Sequence, residues 1–470
     1  MRFPKRFVVP LFCGLLAVSL ISAQQQAPPA QPHLPPATQD KAEFLRTTDE
    51  VLADMSKLLG LPVLEPLKRS IRSREEIRAY VIREMQEDET PAQRYSDQKE
   101  MEEFGLIPKG FPLDSFLVDL LTEQIAGLYD AKTKEFYIAD WIAPDDQREV
   151  MAHELTHALQ DQHYHLEAWR DAVKSDEDAE LARDAVIEGA AVASMLDYTL
   201  RQQGMTLAGI GELDLSSMLG NLNDSPLMAK APPFIRDDLM FPYSAGADFS
   251  QNVLLARGGW PGFHIVFENP PASSQQVMHP DLYLRNVAPG KVDLPDLAGN
   301  LPKGWKKLDD NVLGEFGLQE VLKQFLDEVR ATQLAAVWAG DRYALYEQAS
   351  AGKLLLAVRV RAANDADASR LFGGLSEAFS KKYADSRNLT RGPNFLSFEA
   401  DEGGIFLRCV ASDCVSLEGA NRLLFDQLTH ALGWPDNPAA RTDQERSAGA
   451  TRRMSAAPLA SSPPALELHP

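Results

Sequence analysis

In the stretch VMAHELTHALQDQH, Val150 to His163, three of the chain's nine histidines and a glutamate fall inside fourteen residues. On a helix, four residues turn through about 400°, so His153 and His157 project from one face a single turn apart. Glu154 lies beside the pair. Val150, Met151, Leu155, Thr156, Ala158 and Leu159 carry no charge, which suits a helix packed inside a protein and not one with a solvated face. The plainer reading is an ordinary helix that happens to carry two histidines.

Two imidazole nitrogens one turn apart can reach a single zinc ion, and a neighbouring carboxylate can then take a proton from water activated there. Such a centre needs a third protein ligand. His163 follows His157 by six residues, the spacing of the H-E-x-x-H-x-x-G-x-x-H pattern, but Gln160 stands where that pattern needs a helix-breaking glycine. A helix that continues turns His163 by about 240° net away from His157. Glu188 is the stronger candidate, on a second predicted helix 31 residues past His157, with Gly189, Ala190, Ala191 and Ala193 small enough to let the two helices approach. Its plainer reading is an exposed helical glutamate whose small neighbours serve packing alone.

At 470 residues the chain has room for more than one core. Residues 1–23 read as a secretory signal, with Arg2, Lys5 and Arg6, an apolar run from Phe7 to Ile21, then Ser22 and Ala23. Residues 24–42 are a Gln/Pro-rich linker, and 435–470 a disordered tail. Residues 43–300 form the main domain, opened by helices to about residue 103. A hairpin straddles Asp130 to Lys134, Asp145 caps the motif helix, and a long helix starts near Ser175 with Asp178 closing a capping box. Helical pieces follow at 243–257 and 262–268. Residues 301–434 read as a small α+β domain of order β-β-α-β-β with helices on one face of an antiparallel sheet. Cys409 and Cys414, across a tight turn with Val410 opposite Asp413, are expected to form a disulfide in an oxidising compartment.

Sixty-eight acidic against 47 basic residues give a net charge of −21, which disfavours nucleic acid and anionic lipid surfaces as partners. No later stretch is apolar enough for a membrane span, and the N-terminal signal makes a secreted or periplasmic protein the expectation.

H-E-x-x-H with a glutamate on a following helix resembles the gluzincin zinc metallopeptidases. AHELTHALQDQH followed by EGAA is similar to a little-characterised group of exported bacterial proteins in that clan, and the likeness continues through FPYSAGADFSQNVLLARGGW, PPASSQQVMHP and WAGDRYALYE, from about Asp114 to Gln348. The resemblance implies a mostly helical zincin-like domain with a small sheet, one Zn²⁺ held by His153, His157 and Glu188, and Glu154 as general base in hydrolysis of a peptide or protein substrate. One position departs from thermolysin-like members: Val192 stands where an aspartate orients the first histidine. Asp184 and Asp161 are the substitutes to test for the acceptor that fixes an imidazole's tautomer. Tyr243 and His279 are candidate transition-state donors, and the strand EFYIAD is a candidate edge for an extended peptide. The competing reading keeps the zinc shell in a catalytically inactive scaffold whose C-terminal domain carries the interactions. A weaker one is hydrolysis of a non-peptide amide.

Overall fold

The structure is a computed structural model and describes residues 41–436 apart from 143, 212 and 216–224. The expected signal, most of the linker and nearly all of the tail lie outside the described residues.

Helix α1 (Lys41–Leu59) buries Phe44, Val51, Met55 and Leu58 and stops at Gly60, whose φ of +70° suits a residue without a side chain. Strand β1 (Lys68–Arg72) follows, then α2 (Arg74–Asp88) and α3 (Pro91–Phe104). Each of these helices opens with a complete capping box, Ser73 with Glu76 and Thr90 with Gln93. The charged KRSIR of β1 hides its strand character in sequence. It pairs in parallel with β3 and completes a three-stranded sheet of order β1-β3-β2.

After α4 (Leu113–Gln124) come the hairpin strands β2 (Gly127–Asp130) and β3 (Glu135–Ala139), then the motif helix α5 (Pro144–Tyr164). Asp145 therefore falls inside α5, one residue past its start. Because β3 is flanked on both sides, it offers no free edge, and the strand expected to receive a peptide is a central one. The edge strand packed on the motif helix is β2, whose Tyr129 N–H is taken by Glu154.

A short helix α6 (Leu166–Asp171) leads into α7 (Glu177–Gln202). Asp176, whose side chain accepts from Ala179 N, is the cap there. Ser175 is not, and Asp178 is buried within the first turn. Helix α8 (Pro233–Arg257) is ten residues longer at its start than its sequence pattern suggests, because it carries Pro242 inside it. Four short helical segments between Trp260 and Leu284 follow.

Beyond Leu301 the chain builds an antiparallel seven-stranded sheet of order β4-β5-β6-β10-β9-β8-β7. The elements are β4 (Lys306–Asn311), α9 (Gly314–Lys323), α10 (Glu328–Ala335), β5 (Trp338–Gln348), β6 (Lys353–Ala362) and α11 (Asp365–Lys382). Then come β7 (Arg387–Arg391), β8 (Phe395–Ala400), β9 (Gly403–Val410), β10 (Asp413–Ala420) and α12 (Arg422–Ala431). The expected strands and helix are present as β5, β6, α11, β8 and β9, but β7 interrupts the run after α11. Strands β4 and β7 extend the sheet at its two edges, and β10 enters its middle between β6 and β9. Alternation along β5 shows that both faces are covered. Tyr343 and Leu345 join the large core, while Ala344 and Tyr346 join a second cluster sealed by Phe425 and Leu428 of α12. Helices thus lie on two faces, where one was expected. The large core also runs across position 300, with Phe104 packed edge-on against Tyr343 at 5.3 Å. Val410 faces Asp413, and Cys409 is joined to Cys414 across the β9–β10 turn.

The protein is therefore an α+β chain. Among the described residues no helix is long and apolar enough to cross a membrane.

Candidate metal centre

Helix α5 presents His153 and His157 inward, and both rings are buried. Their Nε2 atoms lie 3.1 Å apart. From α7, Glu188 places Oε2 3.0 Å from His153 Nε2 and Oε1 3.5 Å from His157 Nε2. Ligand bonds of about 2.0–2.1 Å in a tetrahedral shell put donor atoms about 3.3 Å apart, and the two imidazole nitrogens and the carboxylate stand on that scale, with a different oxygen nearest each ring. The structure thus brings together the three residues named in sequence as candidate ligands.

The electrostatics agree with the geometry. Burial alone would push the Glu188 carboxyl up, yet the charge of His157 and the bonds from both rings outweigh it and hold it down to about 2. Burial likewise opposes a charge on His157, but Glu188 prevails and lifts it to about 9. Both shifts say that this buried carboxylate attracts positive charge, which a divalent ion supplies as well as a proton does.

Glu154 sits beside the pair, fully buried, its carboxyl pushed up by burial. The backbone N–H of Tyr129 in β2 donates to its Oε2 at 2.8 Å, while Oε1 has no partner among the described residues and lies 4.0 Å from His153 Nε2. The strand comes this close because residue 127 is glycine. A Cβ there would stand 2.7 Å from Val150 Cγ1 and 3.3 Å from Glu154 Cγ.

The two helices are tied by a hydrogen bond between Thr156 Oγ1 and Ser194 Oγ at 2.7 Å. The small residues around Glu188 serve another contact as well. A Cβ on Gly189 would meet the backbone of Gly246 in α8 at 2.0 Å, so that glycine admits α8 and not the motif helix.

Four expected site residues lie elsewhere or act differently. Asp184 faces Arg170 of α6, at 2.7 Å from Oδ1 to Nε and 3.2 Å from Oδ2 to Nη2. Asp161 accepts from Tyr129 Oη at 2.7 Å, from the Lys134 ammonium and from Leu166 N, fastening the hairpin and the start of α6. Neither stands behind an imidazole, and His153 Nδ1 has no acceptor among the described residues. Gln160 approaches His157 Nδ1 at 3.4 Å. Tyr243 stacks on the His153 ring with centroids 6.2 Å apart, holding the plane of that imidazole. His279 bonds Glu315 at 2.8 Å and does not line the cleft at the cluster. His163, on the unbroken helix, bonds the carbonyl of Pro62.

A cleft of about 590 Å³, open mouth included, reaches Glu154 and His157 and is lined also by Tyr80, Tyr129 and Arg170. Sequence reasoning missed Arg170. Its guanidinium is anchored by Asp184, and Nη1 has no partner among the described residues. Only the arginine's place shortly before the second helix hinted at it.

The sequence profile of a domain of unknown function (DUF8575) matches residues 303–408, which covers the second sheet as far as β9. No curated protein and no solved structure matches the chain.

Proposed function

We propose that the chain is a zinc-dependent hydrolase of peptide bonds that acts outside the cytoplasm. What carries the reading is the separation of 3.0–3.5 Å among one carboxylate and two imidazole nitrogens, beside a buried glutamate with a free oxygen. Zn²⁺ held by His153, His157 and Glu188 would polarise a carbonyl and lower the pKa of a water. Glu154 then needs no further orienting: the Tyr129 N–H fixes Oε2, and Oε1 is left to accept a proton. Burial raises the affinity of that carboxyl for the proton it must carry to the leaving amine. Arg170 Nη1 is placed to donate to a carbonyl oxygen of the substrate, and the edge of β2 can pair with an extended peptide.

The test is metal analysis and a peptide-library digest of the purified full chain, with Glu154→Gln beside it. One zinc per chain in both proteins, with cleavage in the wild type alone, is the expected result. A wild type that holds no metal would end the proposal.

One observation favours a second reading. Among the described residues His153 Nδ1 lacks the acceptor that normally fixes a ligand imidazole, as an inactive zinc-holding scaffold would tolerate. On that reading zinc is bound and the wild type cleaves no more than Glu154→Gln.

A further inference from the structure

A second cavity of about 620 Å³, open mouth included, lies between α2 and the three-stranded sheet. Tyr80 and Leu128 line both this cavity and the metal cleft, so the two are neighbours separated by these side chains. Strand alternation explains the arrangement. The Tyr129 side chain reaches Asp161 on the motif helix, while Leu128, next along the strand and opposite Tyr137 in register, lies between the metal cleft and the second cavity. A peptide laid along the edge of β2 alternates in the same way and sends every second side chain toward this cavity.

The floor is apolar, built by Ile77, Leu128 and the Tyr137 ring, all buried. The rim is charged, and most of its charge is committed. Glu76 accepts from Ser73 N at 2.8 Å and from Arg72 at 3.3 Å, and Arg72 also reaches Glu135 at 3.3 Å. Arg83 differs. It rests over the Tyr80 ring at 5.0 Å, and among the described residues its one polar partner is Glu84, 3.5 Å from Nε. Glu84 is bonded more closely by Lys132, at 2.6 Å. Among the described residues the Nη groups of Arg83 are therefore uncommitted charge over an apolar pocket.

We propose that this cavity is a side-chain subsite for an acidic residue with an apolar stem, glutamate being the natural fit, in a peptide held along β2. It rests on the peptide reading above and can fail separately from it.

The experiment measures binding without turnover. Zinc-loaded Glu154→Gln protein is titrated into fluorescent alanine-based peptides that carry one Glu, Gln or Lys at each position in turn. At one position Glu should bind about five-fold more tightly than Gln, with Lys weakest, and the gap should close as salt rises. Arg83→Glu should reverse the order of Glu and Lys there. Arg83 is half exposed, so unchanged zinc content and unfolding midpoint are expected controls. Absence of a Glu preference at every position, an order indifferent to Arg83→Glu, or no binding of any peptide overturns the subsite. Selective binding by a wild type that cleaves nothing would uphold the subsite and remove the hydrolase.

Discussion

The backbone N–H of Tyr129 donates to Glu154 Oε2 at 2.8 Å, so a strand edge sets the direction of the candidate general base. That contact depends on Gly127, where an added side chain meets Val150 and Glu154 itself. Gly127→Val should therefore displace β2 from the motif helix while leaving the ligands in place. The expected outcome is a full zinc complement with kcat/KM reduced about 100-fold, the scale at which a displacement near 1 Å is felt. Unchanged kinetics would show that Glu154 needs no help from the strand.

The crossing of α7 and α8 has no room for a methyl group. A Cβ on Gly246 would lie 2.3 Å from the carbonyl oxygen of Ala185, which is backbone and cannot rotate away. Gly246→Ala should cost about 3 kcal/mol, the upper part of the overpacking range. Glu188 is carried by the same helix, so zinc affinity should fall with stability. Urea denaturation monitored alongside metal titration checks both, with Gly299→Ala, which meets nothing within 4 Å, as the neutral control.

Much of the candidate site was legible in the sequence because helical geometry is rigid: a four-residue spacing fixes two imidazoles on one face wherever the helix lies. The hairpin before it was legible for a similar reason, since alternation broken at Asp130 to Lys134 leaves few other conformations. Contacts between elements distant in sequence were not. Asp184 looked like an imidazole partner because it precedes Glu188 by one turn. The deciding fact was that α6 swings Arg170 against it. Strand β1 escaped notice because a five-residue, half-buried parallel strand has no apolar alternation to display. Gly189 is a close-contact residue as its size suggests, but its neighbour is α8 and not the motif helix, a choice that composition alone does not identify.

Asp178 links the fold to pH. Burial pushes its carboxyl up to about 8, against the bond from Ser274 N to Oδ1. The folded state thus binds a proton that the unfolded chain releases near pH 4. Its contribution to stability is fully present below that pH and is lost as pH rises through about 8, by roughly 1.4 kcal/mol per pH unit at most in that window. Asp178→Asn, which keeps an acceptor for Ser274 N, should flatten this dependence and gain stability at pH 8 relative to the wild type. Denaturation midpoints at pH 5 and pH 8 for the two proteins decide the matter. Parallel pH profiles would remove Asp178 as the source.

Asp184 separates two roles by the quantity each would change. If it acted behind an imidazole, Asp184→Asn would weaken zinc about 10–100-fold. The structure instead gives it to Arg170, holding the guanidinium in the cleft that Glu154 and His157 line. Burial pushes the Asp184 carboxyl up to about 6 against the pull of Arg170, so near pH 7 it is mostly ionised and the pair is intact. Asp184→Asn should leave zinc affinity unchanged and lower kcat/KM about ten-fold, equivalent to about 1.4 kcal/mol of lost transition-state contact. The wild type should lose the same activity as pH falls through about 6, a step that Asp184→Asn should lack. Competition with a zinc chelator measures the first quantity and steady-state kinetics the second. A variant that loses metal while its loaded form turns over normally would return Asp184 to the imidazoles and leave Arg170 without an anchor.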